Sequence, residues 1–345
     1  MKKITYKRKI YLDRRSRRIL SALTQRPIRM VVGSQRSRTV TVTAPEVFQA
    51  THAEPRNRVI EFFNTVSGWL RQRVRVRVDF AKTQRMHPCA TLILLAKLDI
   101  WCFMYPGLLS GTYPEDEVVE QLFQHFGVLP MLGLTPRQQV THDRVKYWFY
   151  FSGTKVEPGG YRDLTTAVRS SIEHPEPLLF GDCLNEAVTN AVNHAYKFDS
   201  ADVPPHEMRK WWMLSQFKDG ALFVAIYDHG VSIPRSLRRK PEFTDFATLR
   251  YYKGARLIKE ATKSLRTTTR LKHRGKGLPE MLEFSSSLSQ GGLSILSNDG
   301  AWVYVADGGR ETTATFDKPL PGTLVLWELA LRPEPRNERD DDIHS

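Results

Sequence analysis

Two apolar runs of strand length, joined by a two-residue turn signal, do most to limit the folds open to this chain of 345 residues. Trp211, Trp212, Leu214 and Phe217 lead through Lys218 to Asp219 and Gly220, and the run ALFVAIYD then carries the chain to Asp228. Asp-Gly between apolar runs supplies the positive-φ positions of a tight hairpin, so antiparallel pairing is expected, with the tryptophans in the core. Gly230, just past Asp228, marks a second tight turn.

Residues 178–196 read LLFGDCLNEAVTNAVNHAY. Leu178, Leu179, Leu184, Ala187, Val188, Ala191, Val192 and Ala195 recur at three- and four-residue intervals, the period of an amphipathic helix. Glu186, Asn190 and His194 fall between them at i, i+4 and i+8, which stacks them on a neighbouring face. A carboxylate one turn before a carboxamide suits a magnesium–nucleotide site. The amide oxygen binds a hard cation, and the carboxylate orients a water or accepts a proton. A partly buried helix with a polar seam would carry the same pattern.

Two further stretches bear on that choice. RGKGL, with Gly275, Lys276, Gly277 and Leu278, precedes a helical pattern, where glycines let backbone N–H groups approach phosphate. PGTLVLWEL places Gly322 and Thr323 at the head of an expected strand. In this order the four stretches resemble the GHKL superfamily of ATP-binding domains, the Bergerat fold of histidine-kinase catalytic domains and DNA gyrase. The likeness spans about residues 145–330 and is nearest to the anti-sigma-factor serine kinases, whose asparagine-box helix is similar to NEAVTNAVNHAY. The resemblance implies ATP and Mg2+ as cofactors, with Asn190 as the magnesium ligand. Glu186 would be the catalytic base and a further contact to the metal through water. It implies Asp228 as acceptor of the adenine amino hydrogen, supported by Thr323, and Gly230 as the close approach to the base. Gly275, Lys276, Gly277 and Leu278 would cradle the phosphates, and the cation-rich interval before Gly275, with Lys272 and Arg274, would be the ATP lid. One departure stands out: Ser232 replaces the second glycine of the first glycine box, and a side chain there disfavours positive φ.

Charge is distributed unevenly. Residues 1–40 hold thirteen Lys or Arg and one Asp, so the net +14 of the chain is almost wholly an N-terminal arm. Such an arm suits nucleic-acid phosphates or an acidic protein surface, although no base-reading motif accompanies it. No apolar run reaches the about eighteen residues of a membrane span, and the start lacks a secretory signal, so a cytoplasmic location away from membranes is expected. Cys89, Cys102 and Cys183 have no metal-ligand spacing and are expected as buried thiols.

Residues 41–140 read as a separate unit. RVRVRVDF alternates strictly, with Val74, Val76 and Val78 facing a core and Arg73, Arg75 and Arg77 outward as a docking surface. HPCATLILLAKLDIW opens a helix after Pro88, and DEVVEQLFQHFGVLPMLGL holds another, capped by Gly127. That order is similar to STAS domains, the anti-anti-sigma partners of such kinases. Where those carry a phosphoacceptor serine, this chain reads MHPCA, so the resemblance implies a docking module; a small α/β cap on the ATPase is the other reading.

The expected fold class is therefore α/β. A C-terminal Bergerat-type GHKL domain, a mixed sheet packed on helices, occupies residues 141–332 and is joined to a smaller STAS-like α/β domain at 41–140. The basic arm spans 1–40, and an acidic, proline-bearing tail expected to be disordered spans 333–345. Residues 147–156 and 161–174 are expected as the first strand and helix of the ATP domain, and GLSILSNDGAWVYVA as a hairpin turning at Asn298–Gly300. The expected activity is that of an ATPase or a protein serine/threonine kinase acting on a regulatory protein partner. Homodimerisation is implied by the resemblance. A nucleic-acid-associated ATPase, or a nucleotide-gated scaffold without turnover, are the alternatives.

Overall fold

The computed structural model describes residues 38–332 except 173, 175, 199–202, 240–251 and 264–276. Most of the basic arm, the tail at 333–345, Gly275 and Lys276, and most of the expected lid lie outside the described residues.

The N-terminal half runs β1 (Thr39–Thr43), β2 (Val47–Phe48), α1 (Ala53–Arg71), β3 (Arg75–Asp79), β4 (Arg85–Met86), α2 (Pro88–Met104), β5 (Leu109–Gly111), α3 (Glu117–His125) and the single turn α4 (Val128–Met131). Strands β1, β3 and β5 form a parallel sheet in that order, beside a parallel β2–β4 pair. The valine–arginine alternation acts as expected: Val76 and Val78 are buried, Arg75 and Arg77 exposed. Pro88 starts α2 without wasting a backbone donor. Gly127 ends α3 at φ 70°, in the left-handed region.

The C-terminal half continues with α5 (Asp143–Lys146), β6 (Trp148–Gly153), α6 (Arg162–Ser171), α7 (Leu179–Asn190), β7 (Trp211–Lys218), β8 (Ala221–Asp228), α8 (Ile233–Arg238), α9 (Gly254–Thr262), α10 (Gly277–Ser286), β9 (Gly291–Val305) and β10 (Arg310–Ala330). The sheet order is β6-β7-β8-β10-β9. All four pairings are antiparallel where a mixed sheet was expected; for β7–β8 and β9–β10 the tight turns that join them require it. The β7–β8 turn is the predicted one, with Asp219 at φ 49° and Gly220 at φ 76°.

Strand alternation sorts this sheet between two cores. Trp211, Met213, Leu222, Val224, Ile226, Val325, Trp327 and Leu329 face α6, α7 and α10. Trp212, Leu214, Ala225, Tyr227, Leu324 and Leu326 face the N-terminal half and share one core with Phe63, Leu95 and Phe123. Both faces are thus covered, which is why the strands read as continuous apolar runs. Helix α2, buried nearly all round, packs against β7 and β8 from the far side. The expected 41–140 unit therefore shares its core with the sheet. Polar links cross the same boundary: Lys210 Nζ to Asp99 at 2.7 Å, and Trp212 Nε1 donating to Asp99 at 3.2 Å.

Two further expectations need correction. Asn298–Gly300 makes no hairpin; β9 runs straight through it, and the pairing with β10 shifts register between Thr315, Leu320 and Thr323. Extra residues of β10 bulge out opposite Asn298, which takes φ 57°. Arg56, fully buried on α1, satisfies the freed carbonyls, donating to Lys318 O at 2.7 Å and Asn298 O at 3.3 Å. Burial pushes its guanidinium down to about 10. For the same reason Thr323 lies within β10 rather than at its head.

Candidate functional site

The site is assembled from four segments far apart in sequence. Helix α7 forms over Leu179–Asn190, the first part of the predicted 178–196 span, with its apolar stripe on Phe180, Leu184 and Val188, and Glu186 and Asn190 half-buried beside it. After Asn190 the helix widens into a π-helical turn over Ala191–Ala195, a local form that often marks functional positions. The wider turn takes His194 off the Glu186–Asn190 line, and His194 is exposed.

The π turn carries the helix end into the loop after β8. Val231 N donates to Ala195 O at 2.8 Å, and a Cβ added to Gly230 would sit 2.1 Å from that oxygen. Only glycine allows this approach. His229 N donates to the Tyr196 hydroxyl at 3.0 Å, and that hydroxyl donates to Lys210 O. At the start of α10, a Cβ on Gly277 would lie 2.6 Å from Glu186 Oε2 and 3.2 Å from Asn190 Nδ2. The segment that begins Gly277-Leu278 thus rests directly on the carboxylate–carboxamide pair.

Asp228 ends β8 opposite Thr323 of β10. Gly230 N donates to its Oδ1 at 2.9 Å. Burial raises its carboxyl to about 7, against the opposing pull of the Gly230 and Thr323 N–H groups. Ser297, which nothing in its local sequence singles out, ties the walls together. Its hydroxyl donates to Gly322 O at 3.0 Å and accepts from Ile233 N at 2.9 Å. Its own proton is thereby used, so in the 2.9 Å contact with Thr323 Oγ1 the threonine donates. Thr323 is left with lone pairs, and beside Asp228 the two form an acceptor pair.

Ser232 keeps the glycine-like backbone its position demands, with φ 77° and ψ 154°. That conformation costs a non-glycine residue about 1–3 kcal/mol. Its hydroxyl is buried with no partner among the described residues.

A buried chain reaches the same loop from α2. Lys97 Nζ lies 3.3 Å from His229 Nε2, His229 Nδ1 lies 2.6 Å from the Tyr227 hydroxyl, and that hydroxyl donates to Pro321 O at 2.7 Å. Tyr227 has one proton, so His229 donates from Nδ1 and accepts from Lys97 at Nε2. Burial and the Lys97 cation hold the imidazole well below its ordinary pKa, hence neutral. Lys97, His229 and Tyr227 were not legible as site residues, because the chain they form is closed by contacts between distant segments, Lys97 to His229 across 132 positions and Tyr227 to Pro321 across 94.

Burial, then Glu280 and Asp182, raise the Glu186 carboxyl. A polar groove of about 400 Å³ between α6 and α7, lined by Tyr161, Arg162, Asp182 and Asn185 among others, opens one turn before Glu186. Cys89, by contrast, is inert: it is buried against His87 at 3.0 Å, and burial pushes its thiol up to about 12. Among the described residues no group of three or more His, Cys, Asp or Glu is placed to hold a metal ion. None of their helices is long and apolar enough to cross a membrane. Comparison with protein-family models and with curated proteins returned no match.

Proposed function

We propose that this chain is a magnesium-dependent ATP-binding regulatory protein of GHKL type, with the N-terminal half as a STAS-like docking module, and that its nucleotide state controls a partner protein. The observation that carries the reading is the convergence of Glu186–Asn190, Asp228–Ser232, Gly277–Leu278 and Gly322–Thr323 at one end of one sheet. A buried carboxylate beside a hydroxyl acceptor suits an exocyclic amino group, which brings two donors to two acceptors. One carboxamide and one carboxylate under a glycine suit Mg2+, which keeps several waters and takes its remaining ligands from phosphate oxygens. The residues present therefore fit both groups. Bound magnesium would supply charge neutralisation at the phosphates.

In this reading Asn190 binds and orients through its side-chain oxygen, and Gly230 keeps the loop low enough for a planar base. Glu186 holds the proton-accepting position: a carboxyl raised by its surroundings takes a proton from a water or a hydroxyl more readily near neutral pH. The groove beside Asp182 gives a partner's hydroxyl a polar approach to Glu186. Gly275 and Lys276, outside the described residues, remain assigned to the phosphates by resemblance alone.

Calorimetric titration with ATP and Mg2+, followed by assay for ADP and for phosphate transfer, tests the proposal. Binding is expected to be lost in Asn190→Ala. In Glu186→Ala binding should persist while turnover or transfer disappears. Parent-like ATP binding by both Asn190→Ala and Asp228→Asn would overturn the site.

A further inference from the structure

The parallel sheet β1-β3-β5 has a face that no described element covers. Helices pack on the side of Val76 and Val78, while Arg75 and Arg77 stand exposed on the other. The register sets exposed Thr39 beside Arg75, and exposed Thr41 and Ser110 beside Arg77. Parallel sheets are ordinarily covered on both faces, so an open and wholly polar one is unusual. Residues two apart on a strand project the same way about 6.6 Å apart. Neither guanidinium has an ion pair or aromatic contact among the described residues, unlike Arg58, which pairs with Glu54, or Arg73, which lies over Tyr105.

Arginines flanked by hydroxyl donors are the side chains that grip phosphate oxygens. The edge strand β1 also continues directly from residues 1–37, which hold twelve Lys or Arg against one Asp. A protein partner would seek apolar anchors. Among the described residues the large apolar side chains that stand exposed, Leu178 and Leu179, are at the start of α7 instead. We propose that the open face of this sheet, centred on Arg75 and Arg77, binds the phosphodiester backbone of nucleic acid without reading sequence. This site is separate from the nucleotide site and does not depend on it.

The test uses the full-length protein and labelled single-stranded and duplex oligonucleotides of about 30 nucleotides, followed by fluorescence anisotropy from low to moderate salt. Arg75→Ser with Arg77→Ser should weaken binding roughly tenfold. The salt dependence should become shallower by about 1.4 for single strands and 1.8 for duplex, as two lost phosphate contacts require. Arg58→Ser with Arg310→Ser removes equal charge from exposed positions elsewhere and should leave the slope unchanged. Arg75→Lys with Arg77→Lys should restore it. Thermal melting of every variant checks that these surface changes leave the fold intact. An unchanged slope in the serine pair would overturn the proposal, as would an equal loss in the control pair. Equally tight binding to polyglutamate would also overturn it, in favour of an acidic protein surface.

Discussion

At one end of β8 the chain turns through Asp219 and Gly220, and at the other through His229 to Ser232. The first turn follows every local rule: both residues sit at positive φ where such residues are tolerated, Asp219 is exposed, and nothing crowds Gly220. The second turn breaks several. It buries a carboxylate, puts a serine at φ 77°, leaves that hydroxyl without a partner, and brings backbone against backbone at Gly230. One strand separates them, so the difference does not come from the sheet. Departures from local consistency concentrate where binding or chemistry demands them, and the contrast itself supports reading the Asp228 end as functional.

The contrast can be tested end against end. The largest effect is expected at the glycines. Gly230→Ala should destabilise the protein by about 3 kcal/mol or more, because backbone must move on both sides of the contact, whereas Gly220→Ala meets only the left-handed penalty of about 1–2 kcal/mol. Equal losses in denaturant titrations of the two variants would remove the distinction.

Next comes the carboxylate. The folded carboxyl of Asp228 titrates near 7, above its unfolded value of 3.8, so the native state holds the extra proton between those limits. Its contribution is therefore complete below about pH 4 and is lost as pH rises from there through about 7, on the order of 4 kcal/mol in all. His87, lowered to about 4, and His229 shift stability in the opposite sense over part of that range. Both are present in parent and variant, so the difference between the parent and Asp228→Asn isolates Asp228. Relative to the variant, the parent should lose stability from pH 4 to pH 7, while Asp219→Asn stays within about 0.5 kcal/mol throughout. If the chain binds ATP as proposed, the same Asp228→Asn variant should lose about 1–3 kcal/mol of ATP affinity above pH 7, where the carboxyl is ionised and accepts as a charged group.

The smallest effect sharpens the comparison most. Ser232→Gly relieves the backbone strain and removes the unpartnered hydroxyl, against a gain in unfolded-state entropy, for a net stabilisation of about 1 kcal/mol. Asp219→Gly should gain nothing. A destabilised Ser232→Gly would mean that the hydroxyl is held by a contact within the fold.

Features set within a few residues were legible in the sequence. Asp219-Gly220 specified its turn, the valine–arginine alternation specified which face of β3 is buried, and the apolar period of residues 178–196 specified α7, though not the π turn that ends it. Turn chemistry and periodicity act over one to four positions, so they survive without knowledge of partners. Asn298–Gly300 shows the limit of such reading: the same local signal that turns the chain at Asp219 is overridden where β10 keeps pairing past it and Arg56, 242 positions away, caps the freed carbonyl.

By itself, then, the sequence determined the main strands and helices and the residue types available to the site. Tertiary structure decided that the N-terminal half shares its core with the sheet, that Ser297 spends its proton on Gly322 and leaves Thr323 an acceptor, and that Tyr227 and Lys97 together fix the tautomer of His229. It also raised Asp228, since the pKa of a carboxyl depends on how much water the rest of the fold removes from around it. These properties belong to contacts between distant segments, and such contacts exist only once the chain has closed around them.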